Sequence, residues 1–482
     1  MQLSFNSLEG YLPWLAPTRQ LDGAGFITGG RNFLWTASGV RSAFAPRPVR
    51  NIEGFTLPSV CEKPAILCKD GTGYVFAGRS IRTLAGEVVH SVGNTLSAPT
   101  DLPCSYPWTE AKVGCDTIYA NPCVGAVKCS KEGKWSNFNA VDSPSPIYAV
   151  AEFCNRLFVL LEDALTWGAI DDCDNFDYGR ATGAGFQSLN LACFGKPLGM
   201  VALRDSMYVF TTNGIMRVRQ QDAIIYPVDN QPVSGGMLFN FETVTSKVPA
   251  CTAQGIAAIG LDNVIWAAEG GFYTLGEGGV VLWQPELSNW LVNRKRCLPT
   301  DFCFQFLPEL SSTIVRYDID HTIVYQYDLQ KLGKLDGCYD TVGSCDKNLY
   351  AMSGSTLIHL DDSTVTPDTF VLTSAARLPL LNPSDRQRRE FSAEVLEVFH
   401  AADFSEDGDP CDAVCEQSYT VTMASNVKGE SQPTMPLHHH CDGTASSSYG
   451  ACVTGLYHRF RFEGSFHISG LNLQGRVGGL SR

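Results

Sequence analysis

The sequence lacks several features that would place the chain in a common class of protein. It has no run of about 18 apolar residues, so no transmembrane helix is predicted. Residues 1–7 contain neither the basic stretch nor the apolar stretch of a signal peptide, so we expect synthesis in the cytosol without export. Apolar residues hardly ever recur with helical spacing, whereas glycine (45), phenylalanine (26) and tyrosine (17) are frequent. This composition predicts an all-β protein.

Positive charge is also scarce. The chain has 36 Lys and Arg against 50 Asp and Glu, which gives a net charge of −14. Because phosphate recognition needs clustered Lys and Arg, this balance argues against specific binding of nucleic acid. The main basic cluster is formed by Arg386, Arg388 and Arg389. We interpret it as a subunit contact, and a solvated strand edge is the alternative.

Common catalytic motifs are missing as well. The sequence contains no Gly-x-Ser-x-Gly, no phosphate-binding Walker loop and no His-Glu-x-x-His. Residues 130–135 resemble the turn motif of sialidase-type hydrolases, but Glu132 stands where Asp is expected and the motif occurs once. We expect Trp135 to pack beneath a hairpin. The sequence therefore predicts that the protein is not an enzyme and needs no cofactor.

The strongest positive signal is a repeat in the middle of the chain. Each copy has a short apolar β-rich run, a polar break and a second run marked by glycine. The copies begin near four stretches: 155–161, 205–210, 262–266 and 320–325. Their first apolar positions, Leu157, Met207, Val264 and Thr322, are 50, 57 and 58 residues apart. This spacing fits one four-stranded antiparallel sheet per repeat and predicts a β-propeller, with a β-sandwich as the alternative. Residues 72–78 and 348–354 are predicted to be further copies.

The pattern changes along the chain and suggests three regions. Residues 1–60 are expected to be an extended assembly segment, because several prolines interrupt any strand ladder. Residues 61–365 are expected to form the β-propeller-like region, with the clearest repeats in 146–365. Residues 366–482 are expected to form a C-terminal β domain. Within it, 386–398 could be a helix or a strand that continues to residue 399.

An acidic loop after the first of these four repeats could bind a cation. Asp171, Asp172, Asp174 and Asp177 carry carboxylates at nearly alternate positions, as calcium loops do. The central glycine is absent, and Thr182 stands where the bidentate glutamate is required. We therefore interpret this acidic loop as solvated and predict no metal site.

Histidine and cysteine provide a second possible metal cluster. His438, His439, His440 and Cys441 are consecutive, but successive strand residues point to opposite faces, so we expect a solvated loop tip. The 18 cysteines are spread along the chain, and several lie in apolar runs. Three pairs are close enough in sequence to form disulfides in an oxidising medium: Cys61 with Cys68, Cys338 with Cys345, and Cys411 with Cys415. The sequence does not decide among them.

Three parts of the sequence, at the N-terminus, in the centre and at the C-terminus, resemble one known family. They are an N-terminal Leu-Asp-Gly-Ala-Gly-Phe followed by Gly-Arg-Asn-Phe-Leu, the central stretches 171–189 and 208–215, and the C-terminal stretch 457–477. They are similar to the tail nozzle proteins of short-tailed bacteriophages, the tail tubular protein B-like family. The motifs are loose, and they cover both ends and the centre of the chain.

The resemblance implies a structural virion protein. Six identical subunits would form a ring-shaped tube below the portal and tail adaptor, retain double-stranded DNA and release it during ejection. Acidic side chains would let DNA pass through the lumen without specific binding. Tail fibres are possible further partners, and the protein would be assembled in the host cytoplasm and reside in the virion tail. In the N-terminal segment, Trp14, Phe26, Phe33 and Trp35 are candidate assembly contacts. The alternative is a monomeric propeller that binds a protein or a glycan.

Overall fold

The structure, a computed structural model, confirms the predicted all-β class: it is about 62% strand and 6% helix. It describes the following residues: 2–5, 8–12, 25–27, 29–51, 62–93, 105–141, 145–178, 182–189, 194–221, 238–276, 279–317, 321–337, 339–346, 348–361, 375–377, 389–400, 418–425, 431–433, 435–440, 446–455, 457–465 and 467–480. Among these residues, no helix has the length and apolarity needed to cross a membrane.

The chain folds into two compact units, each built from separate stretches of sequence. The composite unit contains residues 1–46, 320–337 and 360–482, and the ring unit contains 47–319 and 338–359. These limits differ from the predicted borders at 60 and 365. The reason is that a strand belongs where its hydrogen-bond partners lie, and those partners are often distant in sequence.

The strands are numbered here in chain order. The N-terminal strands are β1 (Gln2–Phe5), β2 (Leu8–Tyr11), β3 (Gly25–Ile27), β4 (Phe33–Trp35), β5 (Val40–Ser42) and β6 (Ala45–Asn51). The next strands are β7 (Ala65–Lys69), β8 (Thr72–Ala77), β9 (Ser80–Thr83), β10 (Val88–Ser91), β11 (Thr109–Val113), β12 (Asp116–Asn121), β13 (Gly125–Cys129), β14 (Trp135–Asn137), β15 (Ala149–Phe153), β16 (Arg156–Leu160), β17 (Ala164–Ile170) and β18 (Gly185–Ser188).

The central strands continue with β19 (Pro197–Ala202), β20 (Met207–Thr211), β21 (Gly214–Gln220), β22 (Phe239–Thr245), β23 (Ile256–Ile259), β24 (Asn263–Ala268), β25 (Gly271–Gly276), β26 (Gly279–Leu282), β27 (Cys303–Leu307) and β28 (Ser312–Arg316). The remaining strands are β29 (His321–Gln326), β30 (Lys331–Asp336), β31 (Thr341–Cys345), β32 (Asn348–Ser353), β33 (Thr356–Asp361), β34 (Ala375–Arg377), β35 (Arg389–His400), β36 (Ser418–Ser425), β37 (Ser431–Pro433), β38 (Met435–His440), β39 (Ser446–Gly455), β40 (Tyr457–Ser465) and β41 (His467–Leu480).

Helical structure is short. Helix α1 (Pro285–Asn289) runs into a π-helical turn, Trp290–Arg294. Within the part of the chain that the structure describes, 3-10 turns lie at Ala253–Gly255, Pro299–Asp301 and Pro308–Leu310. They connect strands of the ring unit, and Leu287 of α1 and Leu291 of the π-helical turn are fully buried in its core.

The ring unit is a closed circle of sheets. In its described residues we count seven: β7–β10, β11–β14, β15–β18, β19–β22, β23–β26, the hairpin β27–β28, and β31–β33 together with β6. From the second sheet to the seventh, the first strand of each sheet lies beside the first strand of the next, and β31 of the seventh sheet lies beside β7 of the first. The first and second sheets contact each other through β10 and β14. Five of these sheets are complete four-stranded antiparallel meanders. The predicted propeller-like arrangement is therefore confirmed.

Strand β6 closes this circle. It pairs with β33 as the outermost strand of the seventh sheet, so both ends of the ring unit share one sheet. The Thr356 hydroxyl donates to the Asn51 side-chain oxygen at 2.9 Å. Pro46 and Pro48 fit here because an edge strand tolerates residues without a backbone N–H. The last part of the predicted N-terminal assembly segment is thus a propeller strand.

Most of the predicted repeats are the second strands of these sheets. This holds for β16, β20 and β24, and also for β8 and β32. The repeat predicted at 320–325 is different, since it is β29 of the composite unit and the second strand of the sixth sheet is β28. The sequence analysis also missed β12 of the second sheet, although its Asp-Thr-Ile-Tyr start follows the same pattern.

The core of the ring unit lies between neighbouring sheets. Four apolar clusters join sheets one with two, two with three, three with four and five, and seven with one. Every residue of β20 is buried, because both faces of a sheet in the ring are covered by its neighbours. This explains why the second strands read as continuous apolar runs and are easy to find in the sequence.

The composite unit joins both ends of the chain. Strand β1 pairs with β41, which also pairs with β5 and β35. A second sheet has the order β34-β40-β36-β37. The stretch 386–398 is a strand where it is described, which confirms the second of the two predictions for it. His438–440 lie in β38 and not at a loop tip, because they pair with Ser446–448 of β39.

Candidate functional site

The predicted acidic loop lies in the third sheet, between β17 and β18. Asp171 begins the loop with a positive φ of 55°. Its N–H donates to the Asn155 carbonyl at 2.8 Å, and Asn155 itself forms the turn between β15 and β16 with a φ of 57°. Asn and Asp tolerate this left-handed conformation better than most residues do. The loop is therefore anchored to a neighbouring turn of its own sheet.

Two side chains inside the loop fix its backbone. The Asp172 carboxylate accepts the N–H of Asp174 at 3.0 Å, and the Asn175 side-chain oxygen accepts the N–H of Asp177 at 3.1 Å. Such contacts two residues ahead imitate a backbone turn. The Asn175 carbonyl accepts the N–H of Ala169 at 2.9 Å. The acidic side chains are thus held on an ordered loop.

The loop already binds one positive charge from its own chain. The Lys128 ammonium, on β13 of the second sheet, lies 3.6 Å from the Asp116 carboxylate and forms an ion pair with Asp174. Burial lowers the pKa of Lys128, but the hydrogen bond and charge of Asp174, with smaller effects from Cys173 and Asp116, raise it overall. Lys128 is therefore a stable cation at this position.

Cys173 lies beneath the ion pair. It is buried, and its thiol donates to the Asp116 carboxylate at 3.7 Å. Burial, followed by the nearby carboxylates, raises the pKa of this thiol to about 12, so it stays protonated. Asp116, Cys173 and Asp174 are close enough to share a metal ion. A protonated thiol and a resident ammonium do not suit a divalent cation, which needs deprotonated ligands. The arrangement fits an ammonium better than a metal.

An aromatic surface lies next to the acidic side chains. Phe176 packs edge-to-face against Phe138, with 6.5 Å between ring centroids. Tyr178 is 49% exposed, and its ring lies 5.5 Å from that of Phe186, which is 55% exposed. An open cleft of about 510 Å³ is lined by Ala140, Val141, Asp172, Asp174, Asn175, Phe176, Asp177 and Tyr178. We call this the acidic–aromatic cleft. Carboxylates beside an aromatic ring suit a cation on an apolar stem, as in lysine or arginine.

The other predicted site residues lie elsewhere. Phe33 and Trp35 are buried within the composite unit. The Trp35 indole N–H donates to the Leu332 carbonyl at 2.8 Å, and the Lys331 ammonium lies 4.2 Å from the Trp35 ring centroid. These two aromatics therefore have partners in their own chain, and their role as assembly contacts stays a prediction.

The remaining predicted contacts cannot be placed. Trp14, Arg386 and Arg388 lie outside the described residues. Phe26 and Arg389 belong to β3 and β35, but their side chains are outside the described part of the structure. Trp135 packs beneath Tyr74, at 5.1 Å between centroids, as predicted.

Sequence reasoning missed Lys128. The signal for it was weak: one lysine at a half-buried position in the otherwise largely buried strand β13. Its partner Asp174 is 46 residues further along the chain. Tyr178 was noticed only as part of a family resemblance, although it forms one wall of the acidic–aromatic cleft.

Comparison with known proteins finds similar solved structures at low identity. No family model and no curated protein matches the chain. The chain is similar in structure to virginiamycin B lyase from Staphylococcus aureus, with 9% identity, a TM-score of 0.40, and coverage of 66% of this chain and 98% of the lyase. YCF48 from Cyanidioschyzon merolae is similar at 9% identity and a TM-score of 0.38, with coverage of 67% and 100%. The extracellular domain of BT4673 from Bacteroides thetaiotaomicron is similar at 10% identity and a TM-score of 0.42, with coverage of 88% and 57%.

These similarities correct one prediction. Several of the similar structures are lyases, which contradicts the expectation that the protein is not an enzyme. That expectation depended on missing sequence motifs, and enzymes can be built on a propeller without them. At this identity and TM-score, the similarity assigns no activity to the chain. The class that the fold defines is a β-propeller-like protein.

Proposed function

We propose that the protein is a propeller binding module that captures a positively charged protein segment in the acidic–aromatic cleft. The observation that carries this proposal is the Lys128 ammonium paired with Asp174, because Asp174 lines the same cleft as the exposed ring of Tyr178. The loop thus already holds a cation of the kind that a partner would offer. Asp172 and Asp177 extend the same acidic surface beyond Lys128 and are exposed.

The magnitudes favour a segment with several positive charges. An exposed cation–π contact contributes about 0.5–1 kcal/mol, and an exposed ion pair about 0.2–1 kcal/mol. One lysine would therefore bind weakly, whereas two or three in a flexible segment would add up to a measurable affinity. Because exposed charges are screened by salt, binding should weaken as ionic strength rises.

Binding can be tested with a fluorescein-labelled ten-residue peptide that alternates lysine with glycine. Fluorescence anisotropy at low and at physiological salt would measure its affinity for the wild-type protein and for the double variant Asp172→Asn/Asp177→Asn. We expect the double variant to bind about five-fold more weakly, since two exposed pairs are lost. The matched control is Asp205→Asn/Asp262→Asn, which removes the same charge from exposed turns of other sheets. If both double variants bind the peptide equally more weakly than the wild type, the loss of affinity comes from net charge alone, which would contradict the proposal.

We propose, as a second candidate function, that the protein forms the tail nozzle of a short-tailed bacteriophage. It is supported by the resemblance of residues 21–40, 171–189, 208–215 and 457–477 to that family, and by the net charge of −14, which suits a lumen that DNA must leave. Light scattering and electron microscopy of the full-length chain, alone and with virion adaptor complexes, would test it. Hexameric rings with a central channel are expected. A protein that stays monomeric and ignores the adaptor would contradict it.

A further inference from the structure

The first and last sheets of the ring unit bring two cysteines together. Cys68 lies in β7 and Cys345 in β31, and 277 residues separate them along the chain. Their sulfur atoms are 2.7 Å apart. The sequence offered each of these residues a nearby possible partner, Cys61 or Cys338, without deciding between pairings, and Cys61 and Cys338 lie outside the described residues. The structure instead places Cys68 and Cys345 opposite each other.

The register of the two strands explains this contact. A Cβ on Gly343 would lie 2.3 Å from the Ile66 carbonyl oxygen and 2.7 Å from the Ile66 Cβ, so the two strands approach closely there. Ile66 precedes Cys68 by two residues, and Gly343 precedes Cys345 by two residues. Because side chains two residues apart share one face of a strand, the two cysteines meet where the close approach continues.

The surroundings hold Cys345 in position. Its thiol also donates to the Gly71 carbonyl at 3.4 Å, in the turn between β7 and β8. A Cβ on Gly73 would lie 3.3 Å from the Cys345 Cβ, so the small residue leaves just enough room for the thiol. Cys345 is buried, whereas Cys68 is partly exposed. An oxidant can therefore reach Cys68 first.

We propose that Cys68 and Cys345 form a disulfide when the protein meets an oxidising medium, and that this bond locks the seventh sheet of the ring to the first. The oxidant we name is a small disulfide, oxidised glutathione. The Cys68 thiolate attacks one glutathione sulfur, which breaks the S–S bond of glutathione, releases one glutathione thiolate and leaves a mixed disulfide. The Cys345 thiolate then displaces the second glutathione and forms the intramolecular bond. Both protons end on the two glutathione thiols, which carry the two electrons.

The disulfide between Cys68 and Cys345 would close a long loop of the chain. Cross-linking residues far apart in sequence restricts the unfolded chain more than a local bond does, and the effect grows slowly with loop length. The ends of the circle are joined by the packing of β31 against β7, by the apolar cluster between the seventh and first sheets, and by strand β6. A covalent bond there stabilises the closed ring without any new fold.

The test uses the purified full-length chain, reduced with dithiothreitol or incubated with oxidised glutathione. Trapped free thiols and mass-spectrometric peptide mapping would identify which cysteines are linked. We expect a peptide joined through Cys68 and Cys345, and a thermal midpoint that rises on oxidation by on the order of 5 °C. In Cys68→Ser and Cys345→Ser this rise should disappear. In the control Cys251→Ser, which changes a partly buried thiol at the start of the fifth sheet, it should remain.

Peptide mapping of the oxidised wild-type protein tests for the Cys68–Cys345 disulfide even if a serine variant fails to fold. Oxidised protein in which Cys68 carries only glutathione, or is linked to another cysteine, would overturn the proposal. So would a midpoint that rises equally in the wild type and in both serine variants.

Discussion

Two contacts between neighbouring sheets of the ring unit have similar aromatic packing but different polar groups. Between the third and fourth sheets, Phe158, Trp167 and Phe239 pack with centroids 5.1–5.7 Å apart, and the Trp167 N–H donates to the Gly183 carbonyl. Between the first and second sheets, Phe76 packs against Tyr119 at 4.7 Å and against Trp108 at 5.1 Å. Of these two contacts, only the one between the first and second sheets buries charged side chains among the described residues.

The two buried charged residues between the first and second sheets have different surroundings. Lys69 is 8% exposed, and its ammonium donates to the carbonyls of Cys129 and Ser130 at 2.9 and 2.7 Å. Glu62 is 2% exposed, and its Oε1 accepts the Trp108 indole N–H at 3.0 Å. Within the described residues, its Oε2 has no hydrogen-bond partner. Burial raises the pKa of Glu62 to about 7, despite the opposing hydrogen bond.

The comparison shows that contacts within one ring can differ in whether lost volume or a change of pH destabilises them. An apolar contact responds to lost volume and hardly to pH, whereas a buried carboxyl responds to pH. The contact between the seventh and first sheets is of a third kind, because it depends on the close approach at Gly343. The predictions below alter each contact in turn.

The largest effect is expected for Trp167→Ala at the apolar contact. Trp167 is fully buried, so its removal leaves a large cavity and should lower the free energy of unfolding by about 3–5 kcal/mol. Urea unfolding followed by tryptophan fluorescence or circular dichroism would measure this. The matched control is Phe186→Ala on the adjacent strand β18, whose side chain is 55% exposed and should cost well under half as much. A similar loss in both variants would contradict the assigned role of Trp167.

Gly343→Ala should have the next largest effect. Its added Cβ would meet backbone atoms of Ile66, which cannot move as a flexible side chain can. We expect a loss of up to about 3 kcal/mol, as for an overpacked core. Gly199→Ala is the control, because the nearest atom to its added Cβ is Ile256 Cδ1 at 4.0 Å. It should be neutral or slightly stabilising in the same urea experiment, and a loss equal to that of Gly343→Ala would argue against the close approach.

Glu62 makes the contact between the first two sheets sensitive to pH. Its pKa is about 7 in the folded protein and near 4.5 when unfolded, so the folded state holds the proton more tightly. Stability from this group is greatest below pH 4.5 and is lost as pH rises to about 7, by about 2–3 kcal/mol. Glu62→Gln cannot ionise, so the difference in unfolding free energy between the variant and the wild type should change over this window. The control is the same titration on Glu87→Gln, an exposed site in the first sheet. If the difference in unfolding free energy between Glu62→Gln and the wild type does not change with pH, the role given to Glu62 is contradicted.

The sequence allows these contacts to be predicted only in part. Strands β20 and β24 were recognisable, because a buried second strand reads as an apolar run followed by a glycine turn. The place of β6 in the seventh sheet was not, because its partner β33 lies about 300 residues away. The acidic loop was found from its carboxylates, but the ammonium that it binds comes from a different sheet.

The cysteines show the same limit. Short sequence separation suggested Cys61 for Cys68, whereas closure of the ring brings Cys345 to it. Local patterns identify strands and turns, and contacts that depend on closing the ring need the arrangement of all sheets. Glu62 gave no signal at all, because its burial depends on Trp108 of the next sheet.

The smallest effect is expected at the ion pair of the acidic loop. Lys128→Met keeps the length of the side chain and removes its charge. Asp116 and Asp174 are 27% and 54% exposed, so water can solvate their carboxylates, and the loss of stability should stay below about 1 kcal/mol. The same change should tighten binding of the lysine–glycine peptide, because Asp174 becomes available to a partner. Lys131→Met, at an exposed position in the same sheet, is the control for net charge. If Lys128→Met and Lys131→Met bind the peptide equally well, the Lys128 ammonium does not compete with the peptide for the cleft. The apolar and acidic surfaces of the third sheet then act independently.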